Sequence, residues 1–561
     1  MRLLIKRSLP GWLQHYQRSW LRPDLIGGLT VAAMAIPKAM AYAVIAGLPI
    51  QTGLYTALAA TMVYPLLGSS RPLSVTTTSA IAMLSAAVVA AAAAQTSASP
   101  VAIAATLALL VGAILVLARI LRLGFLANFI SLPVLVGFQT GVGLVIIIGQ
   151  IGAILGVYIE SHSVPGILRA LPAAISQTHV ITLSVALFGL AVMLALPRLF
   201  PRLSGPLVWV VLSIFISALF GLEAMGVKTV GAVPSGLPVL ALPDLSLATV
   251  VLPGAFGIAL MSFTESVAAA RTYTQRTDPP VNPNRELLAI GAANLASAAV
   301  GGLPAGGGTS QTNVADNAGV RSQMAQWVNG GVVLLCLLVF SNIIGLLPKA
   351  ALGALIIIAS IHMIKPDDFR AIARIRPMEF SWAIITMAGV LLIGTLEGIL
   401  IAVAISVISL FYQAVNPPVY AVVYNRSKDI FRRFGDDSED ISFPGLLILR
   451  TEGRINFANA SNTREKMQAL VMETSPKVIA LECSGIPDFE YTALSMLMDV
   501  EEDLAHREIE LWLVSVNPDL RLTLKRSLLE QKLGPERIFF NLKQALEAWE
   551  KRTPERAESN S

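Results

Sequence analysis

The sequence predicts an α-helical polytopic membrane protein of 14 spans, arranged as two inverted sets of seven, followed by a small soluble α/β domain. Three observations carry this reading. The 561 residues are 55% hydrophobic and only 14% charged, where soluble proteins carry about 25% charge. Apolar segments of about 17–25 residues, the length that crosses a bilayer, recur through residue 415. Two polar, Gly/Pro-broken stretches sit at comparable places in the two hydrophobic halves: Gly68-Ser-Ser-Arg-Pro-Leu-Ser-Val-Thr-Thr-Thr-Ser-Ala80 and Gly301-Gly-Leu-Pro-Ala-Gly-Gly-Gly-Thr-Ser-Gln-Thr312. Irregular backbone at membrane depth is tolerated only where protein buries it or a cavity hydrates it. Paired interruptions of this kind point to a transporter's midplane site.

The spans of the first half fall near 25–43, 53–68, 74–94, 101–120, 125–152, 179–197 and 206–222. Those of the second fall near 249–270, 286–302, 309–318, 324–347, 350–364, 378–395 and 398–415. A repeat with an odd number of spans must be inverted relative to its partner. With the N-terminus inside, the even-numbered loops hold Arg71, Arg119, Arg122, Arg198, Arg202, Arg271, Arg276, Arg285, Arg321, Lys365, Arg370, Arg374 and Arg376. The outer loops hold only Arg169, Lys228 and Lys349. Lys and Arg favour the cytoplasmic side, so both termini are expected there, in a cell (inner) membrane. The N-terminal stretch (Arg2, Lys6, Arg7, Arg18, Arg22) lacks a cleavable signal pattern, so the first span is expected to be retained.

Forty-three of the 77 Asp, Glu, Lys and Arg residues lie after residue 417, which marks the last quarter as soluble. Asn416-Pro-Pro418 ends the last span and a charged linker follows. Leu446–Leu449, Val478–Leu481, Leu511–Val514 and Ile538–Phe540 then read as buried strands. They alternate with amphipathic stretches at 461–473, 491–506, 519–531 and 542–552, which is an α/β pattern. The organisation expected is a cytoplasmic N-terminus at 1–20, a transmembrane domain at 21–420, a linker at 421–441, the α/β domain at 442–554 and a tail at 555–561.

Several function classes are excluded. The net charge of +5 comes from short loops between apolar segments, which is no nucleic-acid footprint. Cys336 and Cys483 lie far apart, so neither a disulfide framework nor a zinc site is available. No nucleotide loop, metal cluster or nucleophile motif appears, so neither an enzyme nor a cofactor is expected.

Motifs along the chain resemble a known family. Ile36-Pro-Lys-Ala-Met-Ala-Tyr-Ala43, with Ala46-Gly-Leu-Pro49 and Gly53-Leu-Tyr55, resembles the first-span signature of the SulP (sulfate permease) anion transporters. Asn284-Arg-Glu-Leu287 with Gly291 and Asn294 resembles that family's loop into the ninth span, and Gly307-Gly-Thr-Ser-Gln-Thr312 its tenth-span start. The tail is similar to a STAS domain, with Glu490-Tyr-Thr-Ala-Leu494 at the place of its helix start. The resemblance runs from about residue 20 to the end. It implies core and gate domains, usually in a homodimer. It also implies small-anion substrates (sulfate, bicarbonate, chloride, oxalate or dicarboxylates), with proton or sodium coupling or exchange.

The expected site follows from helix electrostatics. Helix N-termini present unpaired N–H groups and a partial positive charge, and an oxyanion between two of them is bound without a full buried cation. Backbone donors near Ser74–Thr77 and Thr309–Gln311 are expected to form it, with hydroxyls from Thr76, Thr309 and Ser310. The bland alternative is that small residues merely allow close helix packing. The family often has Gly-Pro where this chain has Thr76-Thr77, Gln at the position of Lys38 and Arg at that of Gln311. One cation has thus moved from the tenth span to the first. Lys38 follows Pro37 inside the first span and shares a helix face with Tyr42. Intramembrane charges are costly and usually functional, although Lys38 could instead snorkel or line a water path. Glu265, mid-span in the eighth segment, is the candidate proton site, or else a permanent partner for Lys38. Asp316 has no clear role, Glu397 is more in keeping with structure, and His362 with packing. Tyr491 stands where related STAS domains carry a phosphorylatable Ser, and Thr492 is expected to cap the helix. Sulfate uptake with protons is the leading function. Bicarbonate or dicarboxylate transport, or a membrane-tethered STAS scaffold, are the rivals. Buried Lys38 and Glu265 argue against the scaffold.

Overall fold

The computed structural model describes residues 11–552 apart from 129–130, 160, 162, 201–203, 232–233, 235, 239, 241–242, 276–277, 426–427 and 435–439. It divides into two compact units, one ending at Ser406 and one beginning at Val407.

The first unit is helical. Its first half contains α1 (Leu21–Ile45), α2 (Ile50–Leu67), the two-residue strand β1 (Val75–Thr76), α3 (Ser79–Gln95), α4 (Pro100–Ile120), α5 (Leu132–Gly149), α6 (Val180–Leu199) and α7 (Gly205–Phe220). Its second half repeats the order. α8 (Ala248–Tyr273) and α9 (Pro283–Ala299) precede the strand β2 (Gly306–Gly307) and the short α10 (Thr309–Asn317). α11 (Met324–Leu335), α12 (Lys349–Ile361), α13 (Pro377–Leu392) and the start of α14 (Thr395–Val415) complete it, the end of α14 belonging to the second unit. The helices are Ala-, Leu-, Ile- and Val-rich on all sides, as buried or lipid-facing helices are. Among the described residues, seven helical stretches are long and apolar enough to cross a membrane by themselves, including Pro100–Ile120 and Thr395–Val415. Polar caps and prolines set several starts. Ser99 accepts from Ala102 N ahead of Pro100, and Asn282 accepts from Arg285 N ahead of Pro283.

Packing sorts these helices into two groups. α1–α4 pack with α8–α11: α9 lies against α4 and α2, α11 against α1, and α8 against α4 and α3. α5 packs with α12 and α13, and α6 with α7 and α12. The groups meet where α1 touches α7 and α12. Close approach requires glycine at the α4–α9 crossing. A Cβ on Gly112 would lie 2.9 Å from the carbonyl of Gly291.

The third segment differs from expectation. A helix was expected from residue 74, but α3 begins at Ser79. Pro72 and the β-branched run Val75-Thr76-Thr77-Thr78 favour extended backbone. That backbone pairs antiparallel with β2, Val75 opposite Gly307 and Thr76 opposite Gly306. Each half therefore contributes one broken element, and the two breaks are hydrogen-bonded to each other.

The second unit is an α/β sheet. β3 (Val419–Asn425), β4 (Ile430–Arg433), β5 (Asp440–Ile441), β6 (Leu446–Thr451), β7 (Val478–Glu482), β8 (Glu510–Val514) and β9 (Ile538–Phe539) form it in the order β4-β3-β6-β7-β8-β9, with β5 on β3. Residues 421–441, read from sequence as a linker, thus carry strands of the sheet. The charged residues around 426–439 obscure the apolar Val419, Ala421, Val422 and Val423, which pair β3 with β6. Helices α15 (Ala460–Thr474), α16 (Tyr491–Ala505), α17 (Pro518–Lys525), α18 (Leu528–Leu533) and α19 (Leu542–Arg552) complete it. α15 also caps the end of α14. Asn459 and Asn462 donate to the carbonyls of Ala414 and Val415 at 2.9 and 3.1 Å, and Lys466 to that of Pro417 at 2.9 Å. These satisfy carbonyls that a helix C-terminus leaves over.

Candidate functional site

The 301–308 segment lies deep in the first unit, where every backbone group needs a partner. Side chains from three helices supply them. Thr56 of α2 accepts from Leu303 N at 2.6 Å, and Ser297 of α9 donates to Leu303 O at 2.6 Å. Asn294 of α9 accepts from Ala305 N and donates to Ala305 O, both at 2.9 Å, acting as a surrogate strand partner. Ser262 of α8 donates to Ala305 O and Ser266 accepts from Gly307 N, both at 2.6 Å. All five side chains are fully buried. A Cβ on Gly307 would lie 2.8 Å from Leu73 Cδ1 and 3.0 Å from Ser266 Cα, so the crossing has no room for one.

Beyond the paired strands each chain turns into a half-helix. Thr78 is the N-cap of α3; its Oγ1 accepts from Ile81 N at 3.4 Å. Gly308 is the N-cap of α10. By helix geometry the first-turn N–H groups at Ser79–Ala80 and Thr309–Gln311 have no intrahelical acceptor. Both ends border one cavity of about 350 Å³. Lys38, Tyr42, Thr77, Glu265, Thr309, Ser310 and Gln311 line it. Ser74 and Thr76 lie behind it, fully buried. Ser74 Oγ donates to Gln326 Oε1 at 3.1 Å, and Thr76 Oγ1 to Gln311 Oε1 at 2.8 Å. Ser74 N is occupied by Thr312 Oγ1 at 3.1 Å, and Ser74 O accepts from Gly308 N at 3.0 Å. Ser74 N is therefore taken within the fold, and the N–H groups that helix geometry leaves over in this half sit at the start of α3.

Lys38 and Glu265 are each held by a half-helix. Lys38 Nζ donates to Ser310 Oγ at 2.8 Å, and Glu265 Oε2 accepts from Thr78 Oγ1 at 2.9 Å. Their exposures are 6% and 9%, so both are largely removed from solvent. α1 and α8 carry them at matching places in the repeat, each helix with an interior proline, Pro37 and Pro253. The opposite wall comes from the other helix group and includes Gln139, Pro206, Leu355, Ile358, His362 and Lys365. Ser79 Oγ bridges the groups by donating to Met363 Sδ at 3.1 Å. A wall shared between two helix groups, with donors but little fixed negative charge, suits a small anion that is bound and then released.

The Sulfate permease family model matches residues 21–407, and a STAS domain model matches 439–545. The chain belongs to the sulfate permease family. A probable sulfate transporter of Mycobacterium tuberculosis strain H37Rv is 37% identical over 97% of this chain and 98% of its own. The chloroplastic sulfate transporter 4.1 of Arabidopsis thaliana is 26% identical over 96% of this chain and 81% of its own. Among solved structures, the murine Solute Carrier 26 family member A9 anion transporter in the inward-facing state superposes with a TM-score of 0.86 at 21% identity, over 98% of this chain and 95% of that one. The transmembrane domain of the cyanobacterial bicarbonate transporter BicA gives 0.60 at 25% identity, over 70% and 98%. The protein is thus a multi-pass membrane protein with the fold of a transporter and a C-terminal STAS domain, in a family of transporters rather than enzymes.

Within this family member, several working residues escaped the sequence reading. Thr78, Ser262, Ser266, Ser297 and Thr56 look like ordinary small polar residues of membrane helices, and only their contacts single them out. Asn294 and Glu286 lay in a motif that carried the family resemblance. Glu286 accepts from Tyr64 OH at 2.8 Å and from Ser69 N and Oγ at 2.8 and 2.6 Å, bracing the turn before the first break. Asp24, an acidic residue in the first turn of α1, accepts from Arg321 N, Ser322 N and Ser322 Oγ. His362 Nδ1 lies 2.7 Å from Ile358 O in its own turn. Asp316 accepts from Gln275 Nε2 at 3.3 Å. Glu397 is exposed in the first turn of α14. In the STAS unit, Glu490 occupies the N-cap of α16, so Thr492 lies inside the first turn and does not cap it. Tyr491 is 84% exposed there.

Proposed function

We propose that this protein carries sulfate across the membrane together with protons, binding the anion between the first turns of α3 and α10. The observation that carries the reading is that two half-helix N-termini and Lys38 border one cavity. Two helix ends supply about half a positive charge each. A divalent anion still leaves about one negative charge, which Lys38 balances when Glu265 is protonated. With Glu265 ionised the two side chains cancel and a dianion is under-compensated, since Lys365, the other cation on the cavity, is about half exposed and lies 3.7 Å from Asp368. Proton binding therefore favours the loaded state, which is the thermodynamic logic of symport. The names of the Mycobacterium and Arabidopsis relatives support sulfate over other anions.

The same reading takes 14 membrane crossings, both termini in the cytoplasm, a homodimer, and movement of the α1–α4/α8–α11 group against the other. The loop distribution of Lys and Arg supports the orientation. Uptake of labelled sulfate, bicarbonate and chloride into proteoliposomes, with and without an inward proton gradient, tests the function. Sulfate accumulation driven by the gradient is expected. Bicarbonate uptake without sulfate uptake would move the protein to the second reading, which the likeness to the bicarbonate transporter's fold supports.

A further inference from the structure

Thr78 touches both partners of the coupling just described. It caps α3, one wall of the cavity, and its hydroxyl donates to Glu265 Oε2 at 2.9 Å. A threonine hydroxyl has one proton and two lone pairs. In this structure one lone pair faces Ile81 N, at 3.4 Å, and the proton goes to the carboxylate. With Glu265 ionised the carboxylate can only accept, so the Thr78 proton stays directed away from the anion. A proton placed on Oε2 reverses the bond. The carboxyl O–H then donates to the remaining lone pair of Thr78 Oγ1, and the Thr78 O–H must find another acceptor. The cavity, which Thr78 borders, is where an anion oxygen would be one.

α8 is the frame for this exchange. Glu265 holds the start of α3 through Thr78, and the next residue, Ser266, holds Gly307 two residues ahead of α10 at 2.6 Å. The relay thus works inside a fixed scaffold, by turning one hydroxyl. The titratable and charged groups facing the same cavity are Lys38 and Tyr42 of α1, His362 at the end of α12 and Lys365 beyond it. Apart from Val314, α3 and α10 present hydroxyl and amide groups there.

We propose that Thr78 is a positioning relay: its hydroxyl is withheld by ionised Glu265 and turned onto the bound anion when Glu265 takes up a proton. The inference rests on the proton-coupled reading of the site. It predicts an asymmetry that a simple cap or packing role does not. The hydroxyl contributes to anion binding on the acidic side only.

The test measures inorganic sulfate binding to the full chain in nanodiscs between pH 5.5 and 8, for wild type, Thr78→Val, Thr78→Ser and His362→Gln. Thermal unfolding of each variant establishes that it is folded. Thr78→Val is expected to weaken binding at pH 5.5 by about tenfold or more, the loss of one hydrogen bond to a charged group. At pH 8 the loss should be much smaller, that of the α3 cap bond alone. Thr78→Ser should restore the acidic limb, and His362→Gln should retain the pH dependence. Equal weakening of Thr78→Val at both pH values overturns the relay while leaving the proton-coupled reading standing, whereas loss of the pH dependence in His362→Gln moves the proton site to His362 and overturns both the relay and the coupling through Glu265. Sulfate binding that is independent of pH in wild type overturns the coupling and the relay together.

Discussion

Replacing Lys38 by Gln removes the intramembrane cation while keeping a donor of similar reach. Lys38 Nζ lies 2.8 Å from Ser310 Oγ. An anion oxygen bonded to that hydroxyl would sit roughly 3–5 Å from the ammonium. At about 4 Å and an effective dielectric of about 20, one unit of charge interacts by about 4 kcal/mol. The cost of keeping a lysine out of water offsets part of this. Truncating one partner of a buried charge pair costs about 2–5 kcal/mol in practice. Because Gln retains hydrogen bonding, the lower end applies, about 2–3 kcal/mol, or about 30–150-fold in sulfate affinity at 1.4 kcal/mol per tenfold. A monoanion carries half the charge and should lose about 5–12-fold. Isothermal titration of sulfate and bicarbonate against the reconstituted Lys38→Gln protein measures both. Restoring a cation with Gln311→Arg in the same chain should recover most of the sulfate affinity, since Gln311 lines the same cavity. A sulfate loss under about threefold, or equal losses for dianion and monoanion, would refute the charge-compensation reasoning.

Asn294→Ala leaves Ala305 N without its side-chain partner, while Ala305 O keeps the hydroxyl of Ser262. Each unsatisfied buried group costs about 1–3 kcal/mol, so a lowered unfolding temperature in a fluorescence melt is expected, with weaker sulfate binding from a displaced α10. In the STAS unit, bonds from Arg432 and Asn425 hold the Asp440 carboxyl below its usual range. A depressed folded value adds stability above the unfolded value of about 3.9, and that stability is lost as pH falls toward the folded value. Asp440→Asn should therefore lower the STAS melting transition at pH 7 and converge with wild type as pH drops below about 4; a gap that persists in acid argues against the assignment. Burial pushes the Cys483 thiol up, and the side chain is fully enclosed. A maleimide should label it in denaturant and not in the native protein, as mass spectrometry would read.

Much of this architecture was legible in sequence because its signals are local. Apolar length marked the spans, charge density marked the STAS unit, and a lysine after Pro37 stood out in an apolar helix. The two Gly/Ser/Thr-rich breaks announced themselves by composition. Their pairing did not, because Val75 and Gly307 are joined only by the folded chain. The start of α3 was placed early because polar residues from Ser74 onward read as one helix entrance. The β-branched run from Val75 to Thr78 instead extends to meet β2. Thr78 remained unseen for a related reason: its cap bond is local, but its bond to Glu265 spans 187 residues. β3 was hidden by the charged stretch after it, since a strand's assignment rests on a partner, here β6, that sequence does not name.

We place a tetrahedral dianion between the first turns of α3 and α10, beside Lys38. A crystal of the protein grown with selenate, a heavier analogue of sulfate, locates the anion by its anomalous signal. One peak is expected in the cavity, with selenate oxygens within about 2.7–3.2 Å of the Ser310 hydroxyl or the α10 backbone N–H groups. A peak wholly among α5, α6, α7, α12 and α13, away from both half-helices, would contradict it.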